Sequence, residues 1–168
     1  MTIWLVGMMG AGKSAVGARL ALRLVVPFLD TDAEIERESG ASVAELFERE
    51  GEAGFRAREQ KAIQALLGRR AVVALGGGAL TVPGTRERLE AHGRLVYLRA
   101  RPETLLARVG EGSERPLLRG LDGEARKERL RALLARRAAD YARAAIVVDV
   151  DEGGVEAVVD RVVARLGA

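Results

Sequence analysis

Gly7-Met8-Met9-Gly10-Ala11-Gly12-Lys13-Ser14 lies between an apolar run at 3–6 and an amphipathic stretch at 15–24. The octapeptide matches the pattern G-x-x-x-x-G-K-[ST] in full, in the strand–loop–helix setting that the pattern requires. Its glycines allow backbone N–H groups to turn toward phosphate oxygens, and the N-terminus of the next helix adds a positive dipole. The sequence therefore predicts a loop that binds nucleotide phosphates. The alternative is a glycine-rich turn with a solvated lysine.

The residues of this loop are expected to have distinct roles. Lys13 reaches the β- and γ-phosphates and Ser14 binds Mg²⁺, while Gly10, Ala11 and Gly12 offer backbone N–H groups to the nucleotide. The 168-residue chain contains no Asn, so it lacks the N-K-x-D motif of guanine-nucleotide switch proteins. A chain of this length also has little room for the arms of a motor or a helicase. A small-molecule kinase is the class that remains.

Short apolar runs alternate with helical patterns along the chain. The runs are bounded by turn or polar residues, which is typical of buried strands, and they lie at 3–6, 25–29, 71–75, 95–98 and 146–148. Helices between consecutive strands imply an α/β fold of one domain, with a mostly parallel five-stranded sheet covered on both faces. Ligands of such folds bind beyond the carboxyl ends of the strands. The residues that follow each strand are therefore the first candidates for a site.

Two carboxylates, Asp30 and Asp32, follow the second apolar run. If the chain stays extended there, side chains at i and i+2 point the same way. One carboxylate is then placed to serve Mg²⁺ through water, and the other to orient a substrate hydroxyl. The alternative is that both acids begin a helix, where Asp is a favoured cap. Asp149 and Asp151 end the last run in the same manner, and spacing alone does not choose between the two pairs.

Arginine is unusually frequent, since the chain has 24 Arg and 3 Lys although its net charge is only +3. Two arginines share apolar helix faces. Arg56 and Glu59 lie seven and four residues before Ile63, and Arg137 lies four residues before Tyr141. Buried charges are costly unless they are paired or line a polar cavity. The pattern is compatible with a structural ion pair between Arg56 and Glu59 and with a site for an anion.

Two further loops are candidates for ligand binding. Gly76, Gly77 and Gly78 follow the third apolar run, where bare backbone can approach a ligand closely; a plain turn is the alternative. The segment 109–124 is polar and rich in glycine around Arg115. It is predicted to be a mobile lid whose Arg115 closes onto the transferred phosphate, with a surface loop as the alternative.

Composition disfavours several other classes of protein. With no Cys and one His, the chain has almost no material for thiolate, His-cluster or Ser–His chemistry. The first residues do not resemble a secretory signal and no window approaches about 18 uncharged apolar residues, so no membrane partner and a cytoplasmic location are expected. Aromatic residues make up only 4% and do not alternate with basic ones, which disfavours nucleic-acid binding.

Six segments, in this order, resemble the shikimate kinase family over essentially the whole chain. They are GMMGAGKS at 7–14, FLDTD at 28–32, GEAGFRARE at 51–59, LGGGAL at 75–80, ERPLL at 114–118 and RRAADY at 136–141. The resemblance implies transfer of the γ-phosphoryl group of ATP to the 3-hydroxyl of shikimate, with Mg²⁺, on the route to chorismate and aromatic amino acids. It also implies a three-layer fold like that of nucleoside monophosphate kinases, with strand order 2-3-1-4-5.

The resemblance also implies roles for individual residues on the substrate side. Arg56 and Arg137 match the arginines that bind the shikimate carboxylate. Asp32 matches the residue that binds the shikimate hydroxyls, and Asp30 matches the residue that contacts Mg²⁺ through water. The resemblance therefore favours this pair over Asp149. The backbone of 76–78 contacts the substrate, and a helical segment at about 31–60 forms the substrate-binding part of the domain.

On the nucleotide side, Arg108 matches the arginine that packs against adenine, and Arg115 matches the residue that joins the lid to the phosphates. The chain departs from the family pattern twice. Ala15 stands where the family has Thr or Ser, so its backbone N–H remains but one hydroxyl contact to the nucleotide is lost. The family's R-x-P-L-Y segment at 137–141 lacks its Pro here, so the resemblance does not determine the backbone conformation after Arg137.

Two alternatives to this function stay open on the sequence. One is another kinase of the same fold, acting on gluconate or a nucleoside monophosphate, because a sugar acid would also use two arginines. The other is a non-catalytic module that binds ATP or nucleic acid through its basic surface. The expected molecule is a monomer.

Overall fold

The computed structural model describes residues 1–109 and 116–167. Five strands lie within these residues: β1 Thr2–Val6, β2 Phe28–Asp30, β3 Val72–Ala74, β4 Gly93–Arg99 and β5 Ile146–Asp149. Seven helices accompany them: α1 Lys13–Leu24, α2 Thr31–Ser39, α3 Val43–Leu66, α4 Thr85–Ala91, α5 Pro102–Val109, α6 Gly123–Ala142 and α7 Val155–Leu166. Two short 3₁₀ turns cover Ala79–Thr81 and Pro116–Leu118.

The strands form one parallel sheet in the order β2-β3-β1-β4-β5. This order is the one that the family resemblance implies. All five residues of the central strand β1 are buried. Because successive residues of a strand point to opposite faces, both faces of the sheet are covered by helices. The prediction of a parallel sheet between two helical layers is therefore confirmed.

The second strand is shorter than the sequence predicts. The apolar run covers 25–29, but β2 begins only at Phe28. Val25 instead ends α1 in the left-handed conformation, at φ 54° and ψ 52°, and its N–H bonds to the carbonyl oxygens of Ala21 and Leu22. The hydrogen bonds that close the helix thus override the strand preference of a β-branched residue. The other four strands agree with the prediction to within two residues at each end.

Helix α3 carries much of the predicted substrate-binding segment and is interrupted once. It begins with a capping box, in which Ser42 Oγ accepts from the Glu45 N–H and Glu45 Oε2 accepts from the Ser42 N–H. At Gly51 the backbone leaves the helical conformation, with φ 69° and ψ −178°. A positive φ is easily adopted only by glycine, so this break lets the two halves of α3 take different directions.

The predicted lid over 109–124 includes helical residues at both ends. Val109 ends α5, and Gly123 begins α6 behind the cap Asp122, whose Oδ1 accepts from the Ala125 N–H at 3.0 Å. Between them, Leu118 is buried in the core. Arg115 lies outside the described residues. Among the described helices, none is both long and apolar enough to cross a membrane.

Candidate active site

A cleft of about 380 Å³ opens beyond the carboxyl ends of the strands. It is bordered by the loops after β1, β2 and β3, and by residues of α3, α5 and α6. Thirteen of the residues predicted from the sequence line it: Gly10, Gly12, Lys13, Ser14, Ala15, Asp30, Asp32, Arg56, Gly76, Gly77, Gly78, Arg108 and Arg137. Parallel strands end at one edge, so residues distant in the chain meet there.

The loop after β1 is shaped by its glycines. Gly12 caps α1 at φ 88°, and a Cβ on Gly7 would lie 2.6 Å from the carbonyl oxygen of Leu98. The loop therefore packs too tightly against β4 for a side chain at Gly7. Lys13 Nζ donates to the carbonyl oxygens of Gly7 at 2.8 Å and Met8 at 3.1 Å. The ammonium group is thus held at the loop, where phosphates of a nucleotide would bind.

Ala11 differs from the other predicted loop residues. Its side chain is buried in the core, and its N–H donates to the Met8 carbonyl oxygen at 3.1 Å. Its predicted contact with the nucleotide stays a prediction. Ala15 lies in the first turn of α1, lines the cleft and is exposed.

The two residues predicted to serve Mg²⁺ are in direct contact. Ser14 Oγ donates to Asp30 Oδ2 at 2.9 Å. The other oxygen, Asp30 Oδ1, accepts from the Asp32 N–H at 3.0 Å and caps α2. Hydroxyl and carboxylate oxygens are the ligands that Mg²⁺ prefers. Ser14 and Asp30 therefore fit a magnesium ion at the mouth of the phosphate loop.

The sequence argument for a shared direction of Asp30 and Asp32 required an extended chain, and the structure shows that the chain is not extended there. Asp30 ends the strand, and Asp32 lies in the first turn of α2. The capping role and the cleft position are thus both realised, because a helix begins where the strand reaches the sheet edge. The second candidate pair is used differently: Asp149 accepts two hydrogen bonds from Arg99, at 2.5 and 2.8 Å. These bonds hold the pKa of Asp149 below its usual value.

Arg56 is held in the cleft by a buried carboxylate and by aromatic rings. Arg56 Nη1 donates to Glu59 Oε2 at 2.8 Å, and Glu59 is fully buried. The guanidinium carbon lies 5.4 Å from the Phe55 ring centre and 6.0 Å from that of Phe47. Burial raises the pKa of Glu59, and the nearby Arg56 only partly offsets this. The predicted ion pair exists, and it leaves Arg56 in the cleft.

Two polar atoms of this pair have no protein partner. Within residues 1–109 and 116–167, Arg56 Nε and Glu59 Oε1 are buried without a hydrogen bond. Buried polar atoms are normally paired. Both atoms lie beside the cleft, where a bound ligand or an ordered water would pair with them.

Arg137 reaches the same cleft from helix α6. It is only 4% exposed, and its Nη1 lies 3.9 Å from the thioether sulfur of Met8. Its neighbour Arg136 is exposed, as the helical spacing predicts. Helix α6 runs unbroken through 137–141, so the missing Pro of the family pattern does not disturb the backbone.

The three glycines after β3 lie between the charged groups. A Cβ on Gly76 would lie 2.2 Å from Glu59 Oε1, and one on Gly78 would lie 2.1 Å from Arg56 Nη2. A Cβ on Gly77 would lie 3.3 Å from an Arg137 nitrogen. A side chain at these positions would therefore have to displace charged groups of the cleft.

Comparison with known proteins decides the family. A model of the family described as shikimate kinase matches residues 9–167. The chain belongs to the shikimate kinase family. The shikimate kinase of Ruegeria pomeroyi is 48% identical over 167 residues, which cover 98% of this chain and 84% of that protein. A solved shikimate kinase from Acinetobacter baumannii in complex with shikimate is 40% identical, with a TM-score of 0.92 and coverage of 98% and 92%.

Membership of the shikimate kinase family makes the chain an ATP-dependent phosphotransferase. A solved gluconokinase from Sinorhizobium meliloti 1021 is 20% identical, with a TM-score of 0.62 over 99% of this chain and 91% of that one. At this identity the likeness shows the fold alone. The alternative of a non-catalytic binding module is wrong.

The shikimate kinase site also contains residues that the sequence argument did not assign. Phe47 and Phe55 line the cleft beside Arg56, and Tyr141 contacts Gly77. A signal for Phe55 was its position directly before an arginine on an apolar face. For Phe47 there was no such signal, because only the break at Gly51 brings it opposite Phe55, at 4.6 Å between ring centres.

Arg108 lies at the end of the cleft beside the loop after β1. Its Nη2 donates to the Val150 carbonyl oxygen at 2.7 Å, and its Nη1 lies 4.0 Å from where a Cβ on Gly12 would be. The side chain thus bridges the phosphate loop and the segment after β5. Stacking of Arg108 on adenine stays a prediction.

Proposed function

We propose that this chain transfers the γ-phosphoryl group of ATP to the 3-hydroxyl of shikimate, giving 3-phosphoshikimate and ADP. The observation that carries the proposal is the meeting of Arg56 and Arg137 at consecutive glycines of one cleft. Two guanidinium groups at bare backbone are suited to a carboxylate, because arginine presents paired donors to its oxygens. The acid end of the substrate is thereby fixed at a defined place.

The other end of the substrate lies toward Asp32 and the phosphate loop. A Cβ on Gly76 would lie 3.1 Å from Asp32 Oδ1, so this carboxylate borders the same space as the arginines. In this proposal Asp32 accepts a hydrogen bond from the attacking hydroxyl and takes its proton. Holding the carboxylate and the hydroxyl together orients the oxygen for in-line attack, which supplies a large part of the rate.

The charge on the transferred group is balanced by residues of the phosphate loop. Lys13 lies at the loop carbonyls, and we propose that it moves onto the β- and γ-phosphate oxygens when the nucleotide binds. Ser14 and Asp30 would hold Mg²⁺, which neutralises the phosphate charge when it is bound. Arg108 is proposed to pack against adenine, and the backbone of 10–15 to surround the phosphates.

Arg115 is proposed to bring the lid onto the phosphates and to exclude water, which limits ATP hydrolysis. Support comes from Pro116 and Leu117, which follow it in the chain and line the cleft. We further propose that the chain acts as a cytoplasmic monomer. We also propose that it has no nucleic-acid or membrane partner, because aromatic residues make up only 4% of the chain and none of the described helices is long and apolar enough to cross a membrane.

A coupled assay of ADP release tests the proposal, with shikimate, gluconate and nucleoside monophosphates offered in parallel. We expect turnover with shikimate and none with the other acceptors. If shikimate gave no turnover above background while another acceptor did, the proposed substrate would be wrong.

Arg137→Ala tests the arginine assignment, with Arg136→Ala as the matched control on the exposed face of α6. The first variant should raise the KM for shikimate about 100-fold or abolish activity, because a charge-assisted pair to the carboxylate is lost. The control should behave as the wild type. Equal kinetics of the two variants would remove Arg137 from the site.

A further inference from the structure

Tyr141 is a buried residue behind the cleft, and the proposed reaction assigns it no role. It lies one helical turn after Arg137 on α6 and is 2% exposed. Its hydroxyl donates to the carbonyl oxygen of Gly77, and its ring packs on Tyr97 with 5.0 Å between centres. The thioether of Met8, 3.8 Å from the hydroxyl, is a much weaker acceptor. The single hydroxyl proton is therefore committed to the glycine loop.

This hydrogen bond determines which way the peptide between Gly77 and Gly78 faces. The carbonyl and the N–H of a trans peptide point in opposite directions, and no cis peptide occurs among the described residues. Since the Gly77 carbonyl faces Tyr141, the Gly78 N–H points away from Tyr141, and Gly78 lines the cleft. A peptide between two glycines has few steric barriers to rotation, so without an anchor it would sample both orientations.

We propose that Tyr141 is a positioning residue that locks the Gly77–Gly78 peptide with its N–H available to the substrate carboxylate. The inference rests on the proposed function, because it requires a carboxylate between Arg56 and Arg137. Tyr141 does not touch the substrate in this arrangement. It acts through the Gly77 carbonyl, and its hydroxyl also interacts with the side chain of Arg137. Burial raises the pKa of Tyr141 to about 12, so its hydroxyl keeps the proton at every pH of an ordinary assay.

Tyr141→Phe tests the proposal, because it removes the hydroxyl and keeps the ring. Tyr97→Phe is the matched control, since it removes a hydroxyl from the ring that packs on Tyr141. In Tyr141→Phe the KM for shikimate should rise about five- to tenfold, the effect of one lost hydrogen bond. The kcat and the KM for ATP should stay within about twofold of the wild type. The control should change none of these.

A shikimate analogue with a hydroxymethyl group in place of the carboxylate separates positioning from general loosening. The preference of the wild type for the carboxylate should fall in Tyr141→Phe by the same factor as the KM rises. In wild-type protein labelled with ¹⁵N-glycine, the amide signal of Gly78 should shift on titration with shikimate. This second measurement needs no variant and stands even if Tyr141→Phe folds poorly.

Each outcome decides the inference. If the wild type phosphorylates shikimate but Tyr141→Phe keeps its KM within twofold, or the Gly78 amide does not shift, the inference is overturned and the proposed function stands. If Tyr141→Phe and Tyr97→Phe changed kcat and both KM values to the same extent, Tyr141 would have a structural role, and the inference would be overturned as well. A wild type without shikimate turnover overturns the proposed function and this inference together.

Discussion

Gly78→Ala is the substitution for which the structure makes the sharpest prediction. The new methyl carbon would lie 2.1 Å from Arg56 Nη2 and 2.4 Å from Cζ. The backbone at Gly78 has φ −104° and ψ 1°, which alanine adopts without strain. The whole effect therefore falls on the guanidinium group, which must retreat by about 1 Å to restore even a tight contact.

That retreat has a calculable effect on catalysis. Arg56 is bound to Glu59 at 2.8 Å and stacked beside Phe55, so it moves only by weakening these contacts. A displacement of about 1 Å at a positioning group costs roughly 100-fold in rate. We expect kcat/KM for shikimate in the coupled ADP assay to fall by about this factor, mainly through KM. The KM for ATP should stay unchanged.

Two glycine variants are the controls for this prediction. Gly77→Ala places its methyl carbon 3.3 Å from an Arg137 nitrogen and 3.6 Å from the Gly7 carbonyl oxygen, so a smaller loss is expected. Gly123→Ala meets nothing within 4 Å and should leave the kinetics unchanged. If Gly78→Ala bound shikimate as well as Gly123→Ala, the reasoning about Arg56 would be refuted.

Three further predictions concern the carboxylates and the phosphate loop. Burial raises the pKa of Glu59 in the folded protein. The contribution of Glu59 to the free energy of unfolding is therefore largest below its ordinary pKa of 4.5 and is lost as the pH rises through the raised pKa. The Tm of Glu59→Gln relative to the wild type should therefore rise with pH above about 4.5 in thermal melts; a constant difference would contradict this. Asp30→Asn keeps a capping residue but loses a charged ligand, so half-maximal activity should need about tenfold more Mg²⁺ with little change in Tm, and an unaltered Mg²⁺ titration would exclude Asp30. Ala15→Ser adds a hydroxyl at the cleft and should lower the KM for ATP about two- to fivefold; an unchanged value would show that the hydroxyl finds no partner.

The fold was largely predictable because its signals are local. Short buried runs, the capping residues and the phosphate-loop pattern each depend on neighbours within a few residues. The failure at Val25 has the same origin: helix closure and strand preference competed over one residue, and only the hydrogen bonds of the folded chain decided between them.

The site was predictable to the extent that charged residues occur where helical spacing expects apolar ones. Arg56 and Arg137 stand out in this way, and both line the cleft. The partners of these residues do not stand out. The contact of Tyr141 with Gly77 joins residues 64 positions apart, and no periodicity in the sequence reports such a contact.

By itself the sequence determined that a phosphate loop follows the first strand and that candidate groups follow the others. These features rest on local chemistry, which a linear chain already contains. Only the tertiary structure decided that Asp30 faces Ser14 while Asp149 binds Arg99, and that Gly78 lies against Arg56. Those choices depend on how parallel strands bring their carboxyl ends to one edge, and on packing distances of a few ångströms that no local pattern encodes.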